Sequence, residues 1–213
     1  GAVENTAAVK ANDSVAIFGV GGVGLSAIVA AKKIGANPII AIDLNEEKLV
    51  FAKKFGATHT INAGETDPVA AVKALTPNAD QQTMFEGEVS GADFVFDCIG
   101  LKQTMEQIVP AARTGHFGAA PGGTAVLVGV PMTPVELNAV DILINEKKFI
   151  GSIGGSCSPD RDFKKYLEWY DDGSLDLDAL VTARYSIDQI NEATTALSSG
   201  EISGRAILVF DQQ

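Results

Sequence analysis

The amino-acid sequence predicts an α/β fold: a doubly wound parallel sheet with helices on both faces. Three observations predict it. Short apolar runs alternate with helical patterns as far as Gly151, the signature of strand–helix–strand units. A glycine-rich turn, Gly19-Val20-Gly21-Gly22-Val23-Gly24, joins the first run to the first helical pattern. The second run ends in an acid, Asp43.

Each element follows from local pattern. Residues 14–19 (SVAIFG) form a short run with an apolar core, suited to a strand covered on both faces. Residues 25–34 are Ala-rich, with Leu25, Ile28 and Val29 at helical spacing and Gly35 as a stop. Residues 38–43 (PIIAID) read as a second strand. Asn45 can cap a helix that runs to Phe55, with Leu49, Ala52 and Phe55 on one face and Gly56 beyond. Residues 58–62 predict a third strand and 68–75 a helix, followed by a polar loop region over 76–91. Residues 92–97 (ADFVFD) predict the fourth strand, 104–112 a helix and 124–128 (TAVLV) the fifth strand. Past the fifth strand, 135–138 alternates polar and apolar residues, and 148–153 is a further strand candidate.

The character of the chain changes near Gly151. Residues 159–172 read as an amphipathic helix carrying the single Trp169. Ser186 and Gln189 form a capping box for a helix that ends at Gly200. Residues 205–210 predict a closing strand. This segment does not read as another strand–helix–strand copy.

Composition narrows the function classes. The 213 residues carry a net charge of −11, with 46% hydrophobic residues, ordinary for a globular protein. A nucleic-acid binder needs a basic footprint, and none is visible. No apolar run approaches the ~20 residues of a membrane span, and residues 1–6 lack a secretory pattern. Two cysteines, Cys98 and Cys157, make no disulfide scaffold, so a reducing cytoplasm is the expected location.

The turn at 19–24 matches the G-x-G-x-x-G fingerprint of the Rossmann fold in its proper context. A strand enters it, a helix leaves it, and nineteen positions separate Gly24 from Asp43, against the ~20 expected. Each glycine has a task. Gly19 permits the tight turn, Gly21 lets a pyrophosphate approach the backbone, and Gly24 lets the helix pack close to the strand. Free N–H groups and the helix dipole then face the phosphates. Asp43 would accept hydrogen bonds from the adenosine ribose hydroxyls. A 2′-phosphate there would face a carboxylate, a repulsion of about 4 kcal/mol at ~4 Å and an effective dielectric of ~20. The expected cofactor is therefore NAD(H) rather than NADP(H).

With these motifs in place, the sequence resembles the zinc-dependent medium-chain alcohol dehydrogenases over nearly its whole length. Residues 17–25 read like that family's fingerprint, with Gly22 and Val23 inside it. Asp43 to Lys48 resembles its second strand end, where the acid binds ribose and the lysine helps. Asp97-Cys98-Ile99-Gly100 resembles the fourth strand end, whose backbone passes near the cofactor. Val128-Gly129-Val130-Pro131 resembles the segment that lies against the carboxamide, and Ser203-Gly204-Arg205 the closing segment, whose arginine reaches the pyrophosphate.

The resemblance implies an oxidoreductase that transfers hydride between a small alcohol or aldehyde and NAD. It implies residues 1–153 as the NAD-binding domain and 154–213 as a C-terminal tail belonging to a catalytic domain. That domain would hold the zinc and precede Gly1. The chain itself offers no metal site and no catalytic residue: Cys98, Cys157, His59 and His116 show no ligand spacing. Alone it is expected to be inactive. The resemblance also implies a homodimer joined through the sheet edge, with 135–138 near that edge. Two other functions share the turn and the acid. One is a zinc-free quinone or enoyl reductase of the same superfamily, against which Asp43 argues because those enzymes commonly use NADPH. The other is a non-catalytic nucleotide-sensing module, in which nothing would require the match through Arg205.

Overall fold

The computed structural model describes residues 1–85 and 87–210. After a helical turn at Ala2–Thr6, the strands and helices alternate. β1 (Val15–Phe18) leads to α1 (Gly22–Ile34), β2 (Ile39–Asp43) to α2 (Glu46–Phe55), and β3 (His59–Asn62) to α3 (Pro68–Leu75). A hairpin of β4 (Pro77–Gln82) and β5 (Glu88–Ser90) intervenes. β6 (Phe94–Asp97) leads to α4 (Lys102–Ala111), β7 (Thr124–Leu127) to α5 (Ala139–Ile144), and β8 (Lys148–Gly151) to α6 (Pro159–Asp171). β9 (Val181–Ser186), α7 (Ile190–Ser198) and β10 (Arg205–Val209) close the chain.

Six strands form one parallel sheet in the order β3-β2-β1-β6-β7-β8. The strand order reverses at β1, so a crevice opens outside the carboxyl ends of β1 and β6. The fold is the Rossmann arrangement expected from the sequence.

Alternation along each strand builds two cores. Val15, Ile17, Ile39, Ala41 and Phe96 pack on one face against Leu25 and Ile28 of α1 and Leu49 and Ala52 of α2. Ala16, Phe18, Ile40, Ile42 and Val95 pack on the other face against Val72 of α3 and Ile108 and Val109 of α4. A central parallel strand must be apolar at every position, and β1 is buried at all four. The caps also follow the sequence. Asn45 accepts from the N–H groups of Glu47 and Lys48 at 2.9 and 3.3 Å, and Ser186 and Gln189 form their capping box.

Three expectations fail. Residues 76–91 are not a plain loop: β4 and β5 pair antiparallel, and Val89 is fully buried beneath them. One buried apolar side chain among polar residues anchors the hairpin. Residues 135–138 are not a strand. The Asn138 side chain accepts from the N–H groups of Val140 and Asp141 and starts α5, so capping overrides the alternation. The edge of the sheet is β8. The closing segment is a strand–helix–strand unit after all, with β9 and β10 parallel across α7. β9 alternates half-buried and exposed positions along VTARYS, the period of a strand open on one face.

The segment from α6 to the start of β9 packs on the sheet's flank. Lys33 of α1 donates to Ser174 at 2.6 Å and stands 5.4 Å from the Trp169 ring centroid. Leu180 is buried in the same core as Leu49.

Candidate nucleotide-binding site

The glycine-rich turn takes the shape its residues dictate. Gly19 has φ +84°, a conformation that L side chains rarely adopt, and its Cα is covered by Ile99. A side chain at Gly24 would collide with the Gly19 carbonyl, so α1 packs directly on the end of β1. At Gly21 the space beside Cα is open, with no atom within 4 Å. Gly21 is also the N-cap of α1 and has no side chain to satisfy the helix start. Leu25 is the first residue bonded back into the turn, at 2.9 Å to the Gly21 carbonyl. The N–H groups of Gly22, Val23 and Gly24 precede the helical ladder and leave a partial positive charge at the opening.

A long side chain reaches this opening from distant sequence. Arg205, at the start of β10, lays its guanidinium against the Cα of Gly22, where any side chain would collide with it. Lys48, in the first turn of α2, holds its Nζ beside Gly200 in the turn that precedes β10. Neither side chain forms an ion pair among the described residues. A guanidinium at a helix N-terminus is set against the helix dipole, so the placement favours an anion between them.

Asp43 ends β2 beside the turn. Its carboxylate accepts from the N–H of Val20 at 3.0 Å and from those of Leu44 and Asn45 at 2.8 and 3.1 Å. A carboxylate offers about four acceptor positions, so capacity remains for a hydroxyl donor. The next residue, Leu44, is 72% exposed, and Ile99 on the other side of the turn is 40% exposed. Both are exposed apolar side chains near the carboxyl ends of the strands.

The ends of β6 and β7 form the far wall. Gly100 has φ +89°, and a side chain there would strike the Val130 backbone. A side chain at Gly129 would strike the peptide of Ile99 and Gly100. Val128 and Gly129 are half-buried, while Val130 stands 71% exposed at the rim. Cys98 is half-buried, and burial together with the adjoining Asp97 charge pushes its thiol pKa well above the ordinary range. That shift disfavours the nucleophilic thiolate.

Every site residue read from the sequence thus lies at the carboxyl edge of the sheet or is carried to it. Gly19, Gly21, Gly22, Val23 and Gly24 form the turn, Asp43 and Lys48 one flank, and Cys98, Ile99, Gly100, Val128, Gly129 and Val130 the other. Arg205 arrives from the closing strand.

The comparisons with known proteins agree with this geometry. A family model described as zinc-binding dehydrogenase matches residues 22–172. The chain belongs to that family. It is 33% identical to the class-3 alcohol dehydrogenase of Cereibacter sphaeroides over 213 residues, which is 99% of this chain and 53% of that protein. The structure of benzyl alcohol dehydrogenase from Acinetobacter calcoaceticus superposes with a TM-score of 0.83 at 33% identity, covering 99% of this chain and 53% of that one. A zinc-binding dehydrogenase from Sinorhizobium meliloti 1021, solved bound to NADP, superposes with a TM-score of 0.71 at 26% identity over 97% of this chain and 53% of that one. The chain spans about half the length of the relatives it matches.

The metal in the family's description does not fit the described residues of this chain. His59 opens β3 at the amino edge of the sheet, while Cys98 follows β6 at the carboxyl edge. Among the described residues no group of three or more His, Cys, Asp or Glu side chains could hold a metal ion. No described helix is long and apolar enough to cross a membrane.

Proposed function

We propose that this chain is the NAD(H)-binding half of a zinc-type alcohol dehydrogenase, which transfers hydride between a small alcohol or aldehyde and NAD. One observation carries the reading. The fold brings Arg205 onto the start of α1, beside the open face of Gly21 and within reach of the same groove as Asp43. An anion cradle next to a ribose acceptor at a topological switch point suits a dinucleotide.

In this reading the turn and Arg205 hold the pyrophosphate, Asp43 and Lys48 hold the adenosine ribose, and Leu44 and Ile99 flank the adenine. The nicotinamide half lies over Val128, Gly129 and Val130. When bound, NAD supplies the hydride acceptor; this chain supplies placement and a water-poor wall. No residue of the chain acts on the alcohol, and residues 154–213 are the segment that returns to the catalytic domain. Zinc and substrate are held there. The protein works in the cytoplasm as a homodimer joined along β8.

Titration calorimetry with NADH and NADPH tests the reading. Tight NADH binding with weaker NADPH binding supports it, and no binding of either refutes it. An NADH absorbance assay with primary and aryl alcohols should show no turnover by the chain alone, with or without zinc. Persistent turnover would move the chemistry into this half.

A further inference from the structure

We propose that Asp97, together with Thr104, is a positioning residue for the nicotinamide half of the dinucleotide, a role that rests on reading the groove as a dinucleotide site. Asp97 ends β6 and has no exposed surface. Its carboxylate accepts from the N–H of Gly100 at 2.8 Å, the hydroxyl of Thr104 at 2.7 Å and the N–H of Ile99 at 3.4 Å. Its backbone carbonyl accepts from the N–H groups of Val128 and Gly129 at 3.0 and 2.9 Å. One residue therefore fixes the exits of both β6 and β7.

Those exits leave no slack. Gly100 is packed on the Val130 backbone, Gly129 on the peptide of Ile99 and Gly100, and Ile99 on Gly19. A shift at residues 99–100 must move 129–130 or the turn. The direction of the ligand follows from strand order. With ribose at β2 and pyrophosphate at β1, the remaining half must cross to the ends of β6 and β7. Asp97 does not itself open onto the groove; it acts through the loop that does.

Apolar burial gives no reason for this carboxylate. Burial raises its pKa despite three donors, so the ionised form is held against a desolvation penalty. An apolar residue would leave the N–H groups of Ile99 and Gly100 and the hydroxyl of Thr104 without this acceptor. The carboxylate's distinctive contribution is to orient two N–H groups and one hydroxyl.

The test uses NADH and ADP, where ADP reports only the adenosine and phosphate half. Thr104→Val removes the donor to Asp97 with little change of shape, and Thr104→Ser restores it. Asp97→Asn is the harsher companion. Thr104→Val and Asp97→Asn should weaken NADH binding by about tenfold and ADP binding by a clearly smaller factor, since only Ile99 of the positioned loop meets the adenine half, and Thr104→Ser should bind NADH as the wild type does. An equal loss of both ligands, or NADH binding by Thr104→Val at wild-type strength, overturns the proposal. A wild-type chain that binds neither ligand overturns the dinucleotide reading, and the proposal with it. Because Thr104→Val keeps the buried carboxylate, the test survives if Asp97→Asn fails to fold.

Discussion

The carboxylate of Asp43 accepts a hydrogen bond from the N–H of Val20 at 3.0 Å, so the end of β2 is tied directly to the glycine-rich turn. This bond fixes the acid where a ribose would sit. A 2′-phosphate entering there meets an oriented negative charge. Solvent screening halves the ~4 kcal/mol repulsion, which still exceeds a tenfold difference in affinity. The chain should bind NADH at least tenfold more tightly than NADPH, and Asp43→Asn should narrow that ratio. Calorimetry with both nucleotides measures it; equal wild-type affinities would sink the role given to Asp43.

Arg205 meets the turn only through tertiary structure. Its removal by Arg205→Ala should weaken NADH binding by about 1.5–3 kcal/mol, the scale of a hydrogen bond to a charged group. The salt dependence of binding should flatten as well, because one cation has been lost from the site. Unchanged affinity at low and high salt would show that the guanidinium does not touch the ligand.

Gly21 and Gly24 separate binding from folding. Gly24→Ala drives a methyl into the Gly19 carbonyl and should destabilise the fold by about 1–3 kcal/mol, read by urea denaturation. Gly21→Ala meets no atom within 4 Å and has φ −69°, so its stability should stay within about 0.5 kcal/mol. It should nonetheless weaken NADH binding about tenfold, because the methyl stands where the pyrophosphate approaches. The reverse pattern would put the ligand elsewhere.

Asp162 joins α6 to the first turn of the chain. It is buried, grips the Arg161 guanidinium at 2.7 and 2.8 Å, and accepts from Asn5 at 3.1 Å. The guanidinium holds its carboxyl far below the usual carboxylate range. A carboxyl with a depressed folded pKa adds stability above its unfolded value of ~3.9 and loses it as pH falls toward the folded value. Asp162→Asn should therefore lower the melting temperature at pH 7, and the gap should narrow below about pH 4. A gap that is constant with pH would mean that the charge contributes nothing.

The proposed dimer turns on β8. Lys148 and Ser152 donate inward to Gly123, just before β7, and to Leu127 at its end, so the N–H groups of Phe149 and Gly151 point away from the sheet. An unguarded edge of this kind pairs readily with its own copy. Gly151→Pro deletes an outward donor, keeps the inner ladder and meets no atom within 4 Å. Light scattering should find a wild-type dimer and a Gly151→Pro monomer. A wild-type monomer at tens of micromolar, or a dimer that survives the proline, rules out the edge model.

Local physics made much of this protein legible before its structure. Apolar runs at strand spacing, caps at Asn45 and Ser186, and glycines that only a tight turn requires fix elements and turn alike, because each signal lies within a few residues of its effect. The same holds for Asp43, whose distance from Gly24 follows from one helix and one strand. Where capping competed with alternation, at 135–138, or where a single buried residue, Val89, anchored a polar hairpin, short-range pattern misled. What only the tertiary structure decided are the long-range meetings: Arg205 on Gly22, Gly100 on Val130, and Asp97 holding the exits of two strands. No local period encodes them, since each depends on how the sheet orders its strands and where the closing unit docks.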